Sequence, residues 1–177
     1  TYQLASQSSE SNRRDEQNFS HYLERRLPAE VLLDAICDVT GVPEQFAGMP
    51  QGTRAVQVWD NRFPSYFLDT FGRSLRQSPC ECGKSGAPTM SQALHLMNAP
   101  EIAVRLSSPR GRIAQLNAAG KSPEEILEAL TLAAWTRLPD DRERRAAARI
   151  FQHSNPQQAG EDLLWAILNS YDFLFIR

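Results

Sequence analysis

The second half of this chain is divided by helix start signals set at close intervals. Thr89 is followed three residues later by Gln92, Ser122-Pro123-Glu124-Glu125 follows Gly120, Asp140 precedes Glu143, and Asn155-Pro156 comes next. A Ser, Thr, Asp or Asn oxygen before a helix accepts one of the free N–H groups of the first turn, and a Glu or Gln at the third position returns the bond. Proline in the first turn loses nothing, because its missing N–H would have no partner there. Between these signals the apolar residues recur at helical spacing: Ile126, Leu127, Leu130, Ala133 and Ala134; then Ala146, Ala147, Ile150 and Phe151; then Leu163, Leu164, Ile167 and Leu168. Thr89 opens a helix to about Asn98, Pro100 a short one with Ile102, Val104 and Leu106, and the stretch around Arg110–Ala119 another that Gly120 closes. Nearer the start, Pro28 to Thr40 carries Val31, Leu32, Ala35, Ile36 and Val39 on one stripe, and Gly41 with Pro43 stops it. The chain is therefore expected to be an all-α domain of about seven helices around one core.

Residues 1–20 are polar and are expected to be a linker or extension, with residues 21–177 forming a single helical domain. Residues 41–88 hold many glycines and prolines and read as a long irregular excursion. Within it, Ala55–Trp59 reads as a short extended piece and Tyr66–Phe71 as a short helix ended by Gly72. The apolar tail Phe173–Ile176 must dock on the body. At 177 residues, 41% hydrophobic and 23% charged, the chain can bury a core without metal or disulfide staples. A net charge of -2 provides no basic field for nucleic acid, so no nucleic-acid partner is expected. No apolar run approaches the roughly 20 residues of a membrane span.

Reactive side chains crowd together at Pro79-Cys80-Glu81-Cys82-Gly83-Lys84, with His95 shortly after. Cys80, Cys82 and His95 have the atoms of a soft-metal site. A structural zinc centre takes four ligands, usually with wider cysteine spacing, and Cys37, Glu81 and Asp69 are the candidates to complete it. Lys84 would favour a thiolate and a thiol role. The plainer reading packs the sulfurs, or bonds one to Cys37. No Cys-x-x-Cys-His run is present, so this chain is not expected to attach a c-type haem itself.

Arg25 and Arg26 precede the first long helix, and Arg54, Arg62, Arg73 and Arg76 fall in the irregular region. They read either as clamps for a carboxylate, phosphate or sugar or as ties that hold loops down through carbonyls and nearby carboxylates such as Glu30, Asp34, Asp60 and Asp69. Trp59, Phe63, Tyr66 and Phe67 lie beside these arginines and form a candidate binding surface for a glycan or a protein. His95, among Met90, Ala93, Leu94 and Met97, reads as a satisfied, half-buried histidine, with His21 and His153 at the surface. Trp135 and Trp165 read as core. Asp140-Asp141-Arg142-Glu143-Arg144-Arg145 reads as a solvated face with i,i+4 pairing. No nucleophile elbow, P-loop, dinucleotide fingerprint, paired zinc-protease histidines or EF-hand loop occurs.

Four segments together resemble a C-terminal domain of unknown function, number 1553, of the planctomycete type. They are Arg25-Arg26-Leu27-Pro28-Ala29-Glu30 with Leu33-Asp34-Ala35 and Thr40-Gly41; Phe71-Gly72-Arg73; Cys80-Glu81-Cys82 leading to Gln92-Ala93-Leu94-His95-Leu96-Met97-Asn98; and Asp162–Ser170 with Phe173-Leu174. The resemblance spans about residues 19 to 177. It departs at Gly83-Lys84, where the family usually places an acidic then a basic residue. The resemblance implies a periplasmic or extracellular setting, with an upstream companion domain of the same polypeptide as partner. Any haem would then belong to an upstream c-type cytochrome domain. It implies no reaction, so the expected role is a non-catalytic scaffold or interaction module. The rivals are part of a shared active site or metal site on Cys80, Cys82 and His95, and a binding module using the Trp59–Phe67 cluster.

Overall fold

The computed structural model describes residues 5–15, 17–58, 63–73 and 89–176. It is all-α apart from one two-stranded ladder. The elements in chain order are β1 (Arg25–Arg26), α1 (Ala29–Thr40), a 3₁₀ turn (Ala55–Gln57), α2 (Tyr66–Thr70), α3 (Met90–Asn98), α4 (Pro100–Leu106), α5 (Arg112–Ala118), α6 (Pro123–Trp135), α7 (Asp141–His153), α8 (Pro156–Leu168), α9 (Tyr171–Leu174) and β2 (Phe175–Ile176).

The start signals work as their chemistry requires. Thr89, Ser122 and Asp140 accept from the amides of Gln92, Glu125 and Glu143, each of which returns the bond to the cap. Asn155 accepts from the amide of Gln158. Pro28 sits at the position just before α1 without a side-chain capping bond, and Gly41 ends the helix in the left-handed region at φ 71°. A side chain at Gly41 would be strained by that φ and would come within 3.2 Å of the Arg112 backbone nitrogen. The same Arg112 closes the helix end. It donates from Nε to the Val39 carbonyl at 2.7 Å and from Nη2 to the Asp38 carbonyl at 2.8 Å, two of the last carbonyls of α1 that lack intrahelical donors.

The core is one cluster. Leu32, Leu33, Ile36 and Val39 of α1 meet Phe67, Leu68 and Phe71 around α2, Ile126, Leu127 and Leu130 of α6, and Leu163, Leu164, Ile167 and Leu168 of α8. The helices α6, α7 and α8 pack on one another, and α1 crosses α2, α5 and α6. Burying side chains of this size stabilises by about 1.5–3 kcal/mol each, before chain entropy is set against it.

Several expectations are corrected here. Ala55–Gln57 is a 3₁₀ turn rather than an extended piece, because buried Asp34 accepts from the amides of Ala55 and Val56 and curls the chain around its carboxylate. Val31 is exposed, since the inward face of α1 is centred on Leu32, Leu33 and Ile36. Ala146 is exposed too, and only Ala147 of the α7 stripe is fully buried. Trp165 lies at the surface, its Nε1 donating to the Met97 carbonyl at 3.2 Å, and Trp135 is half-buried under the Arg137 guanidinium. Arg144 does not pair along its own helix. It reaches across to Glu124 and Glu128 of α6. The apolar tail docks through Phe173, which is buried, and through β2, which pairs antiparallel with β1 so that Arg26 faces Phe175 and Arg25 faces Ile176. Among the described residues, no helix is long and apolar enough to cross a membrane.

Candidate functional site

The chemistry-bearing side chains gather where α2, α3 and α4 converge. Gln92 sits in the first turn of α3 and donates from Nε2 to the Thr70 carbonyl at 3.1 Å, which seats α3 on the end of α2. One turn later His95 points into that junction. Its side chain is 4% exposed. Three rings surround it, with centroids at 5.3 Å for Tyr66, 5.5 Å for Phe67 and 5.8 Å for Phe71. Phe67 and Phe71 stack on one another at 4.4 Å. The His95 Nε2 lies 3.0 Å from Glu101 Oε1, yet the pair lacks the alignment of a hydrogen bond and Nε2 is otherwise without a partner. His95 is thus deeper than the half-buried position expected, and its polar atom is not fully satisfied.

In front of this junction lies a half-open cleft of about 370 Å³. Phe46, Phe63, Tyr66 and Phe67 supply its aromatic wall, and Glu44, Glu101 and Arg105 its polar edge. Phe46 meets Phe63 edge-on at 5.2 Å. Arg73 holds Phe63 from behind. Its guanidinium carbon is 4.9 Å from the ring centroid, Nη2 donates to the Phe63 carbonyl at 2.8 Å, and Nε pairs with Asp69 at 2.8 Å. Tyr66 at the rim is 71% exposed, the most open aromatic ring in the described residues.

Arg105 is buried and both of its Nη groups are engaged. Nη2 meets Glu44 Oε2 at 2.5 Å, and Nη1 donates to the Val42 carbonyl at 2.7 Å and to Cys37 Sγ at 3.5 Å. A buried guanidinium needs such partners to offset the loss of water. The cleft therefore offers a visitor aromatic faces and the Glu101 carboxylate rather than a free cation, Glu44 being held by Arg105 and the Gln45 amide. Cys37 carries a free thiol, and burial pushes its pKa up from the ordinary thiol value.

The other arginines read from the sequence lie elsewhere. Arg26 stands behind Phe71, its guanidinium carbon 5.3 Å from that ring and Nη2 donating to the Phe71 carbonyl at 2.8 Å. Arg25 lies beside it on β1. Arg54 is on the far side of α1 and pairs with Asp38 at 2.7 Å and Asp34 at 3.5 Å. Arg26, Arg54 and Arg73 are thus each bonded to neighbouring carbonyls or carboxylates. Trp59, Arg62, Cys80 and Cys82 lie outside the described residues. Among the described residues, no group of three or more His, Cys, Asp and Glu side chains is placed to hold a metal ion.

Glu44, Phe46, Glu101 and Arg105 were not singled out from the sequence. One signal was available: Ile102, Arg105 and Leu106 share a helical face, so an arginine on an apolar stripe needed a buried partner. That partner, Glu44, is 61 residues away and has no local signature.

A family model described as PSD1, protein of unknown function (DUF1553), matches residues 1–151. No curated protein matches the chain. No solved structure matches it.

Proposed function

The chain belongs to the DUF1553 family of proteins of unknown function, and from that premise we propose that it is a non-catalytic interaction module, the C-terminal scaffold of a larger exported, cytochrome-linked protein. It docks on the upstream companion domain of its own polypeptide, and the aromatic cleft is the contact point. The observation that carries this reading is that the exposed Tyr66 ring and the Glu101 carboxylate line the same concave surface, whose own arginine is already committed to Glu44. Ring faces beside a carboxylate with no arginine or lysine partner suit a basic side chain, which gains from both the ring quadrupole and the negative charge.

A second reading, a glycan ligand, has the same Tyr66 platform on its side, with Glu44 and Glu101 as acceptors for sugar hydroxyls. The rival site on Cys80, Cys82 and His95 has His95 as its one member among the described residues.

Amide chemical shifts of the folded chain, followed during addition of an arginine-containing tripeptide and separately of a chito-oligosaccharide, test the proposal. Shifts at Tyr66 and Glu101 with the tripeptide, lost in Tyr66→Ala and Glu101→Gln, are expected. The same shifts with the sugar alone would move the site to glycan binding. No shift with either would remove the cleft as a binding surface.

A further inference from the structure

His95 and Glu101 meet because the chain folds back between them. The Ala99 amide donates to the His95 carbonyl at 2.8 Å and closes α3, and Pro100 opens α4 directly after it. The first turn of α4 therefore carries Glu101 back to the imidazole, with Oε1 at 3.0 Å from Nε2. Glu101 is exposed and lines the cleft, whereas His95 is buried and does not line it. The other charged side chains of the elements around His95 are already paired or stacked. Asp69 of α2 is held by Arg73, Arg105 of α4 by Glu44, and Arg26 of β1 stands over the Phe71 ring. Beyond these, α3 carries no ionisable side chain besides His95, and α2 adds the Tyr66 phenol. Among the described residues, the imidazole is thus the one titratable group at ion-pair distance from Glu101.

A histidine changes its charge between about pH 5 and 8, whereas glutamate ordinarily titrates near ~4.3 and arginine above ~12. A neutral imidazole leaves the Glu101 charge to the cleft. A protonated one holds a positive charge 3.0 Å from Oε1, offsets that carboxylate and repels a second cation. Packed among Tyr66, Phe67 and Phe71, an imidazolium has little water to turn to and depends on this carboxylate as its partner. We infer, resting on the reading of the cleft as a site for a basic side chain, that His95 is its acid-sensitive switch. The partner's cation and the protonated imidazole compete for the same Glu101 carboxylate. Docking is therefore strongest above the histidine range, where His95 is neutral, and weakens as pH falls through it. Linkage is reciprocal, so a docked cation in turn hinders protonation of His95.

The test is the affinity of the folded chain for an arginine tripeptide, acetylated and amidated so that its charge stays constant, followed by amide shifts at about pH 7.5 and about pH 5.5. Binding is expected to be weaker at the lower pH by about threefold, the worth of one partly exposed ion pair. His95→Gln keeps a polar side chain without the charge change and is expected to bind equally at both pH values. A circular dichroism melt confirms that the variant is folded. Wild type supplies a second readout that needs no variant. The His95 Cε1–H resonance is expected to reach its protonated position at lower pH with saturating tripeptide than without it. Equal affinity at both pH values, a pH dependence undiminished in His95→Gln, or a His95 resonance whose titration ignores the bound tripeptide overturns the switch and leaves the cleft reading standing. No binding at either pH overturns both.

Discussion

The carboxylate of Asp34, buried in the middle of α1, accepts the backbone N–H of Ala55 at 2.6 Å, across 21 residues of chain. Its second oxygen takes the Val56 amide at 3.2 Å, and the Arg54 guanidinium lies 3.5 Å away. One side chain therefore satisfies two amides of the 3₁₀ turn and fixes that turn against α1. Asp34→Ala strands those amides, each at a cost of about 1–3 kcal/mol. The expected outcome is a loss of about 3 kcal/mol and a fall in Tm of roughly 5–10 °C for a domain of this size. Asp34→Asn keeps one acceptor and is expected to lose less. A denaturant midpoint for Asp34→Ala within a few tenths molar of wild type would refute this role.

Gly160 in α8 faces Ile113 in α5. A Cβ built on Gly160 would lie 2.8 Å from Ile113 Cγ2. Alanine at an exposed helix interior position gains about 1 kcal/mol over glycine. Overpacking here costs about 1–3 kcal/mol and outweighs that gain. Gly160→Ala is therefore expected to be destabilising, against its helix propensity. In an Ile113→Ala background the clash is gone, and the same change is expected to be neutral or stabilising. A double-mutant cycle by urea unfolding reads the sign change directly.

What was legible in the sequence was local. The reciprocal caps at Thr89, Ser122 and Asp140 join residues three apart, so the pattern alone places them. Tyr66–Thr70 and the stop at Gly41 follow from the same short-range rules. The features that escaped are set by partners far along the chain. The 3₁₀ turn needs Asp34, β1 needs β2 at the other end of the domain, and Arg105 needs Glu44. Val31 fits the helical period but lies off its buried centre, which only the packing of α1 on its neighbours decides. The aromatic half of the cleft was visible as Phe63, Tyr66 and Phe67 beside an arginine. Its acidic half comes from α4 and the 42–47 loop, and no spacing rule joins those to the aromatics.

Glu125 gives a pH signature for α6. Its carboxyl is lowered to about 2, first by the hydrogen bond from Lys121, then by those from the amide and hydroxyl of Ser122. A depressed carboxylate contributes stability that is present above its unfolded value of 4.5 and lost as pH falls toward about 2. Glu125→Gln keeps an acceptor for the Ser122 amide but removes the charge that Lys121 meets. Wild type is therefore expected to melt above the variant at neutral pH, with the gap closing between pH 4.5 and 2. Thermal melts across that range check it, and a gap independent of pH would assign the difference to the cap geometry alone.

Cys37 is the reporter for the seam between α1 and α4. Burial raises its pKa above the ordinary value of 9.0, partly opposed by the charge of Arg105. Because burial disfavours the charged form, the folded thiol ionises less readily than an exposed one, and only the thiolate is alkylated. Pulsed alkylation with peptide mapping is expected to label Cys37 slowly in the folded protein and rapidly once denatured. Arg105→Leu removes the donor to Val42 and leaves Glu44 without its partner, so the seam opens more often. The loss of the Arg105 charge by itself would suppress the thiolate further and slow labelling. Faster labelling in Arg105→Leu therefore reports local opening rather than a change in ionisation. Slower labelling would mean that the seam holds without Arg105 and that its buried ion pair with Glu44 serves the cleft's electrostatics alone.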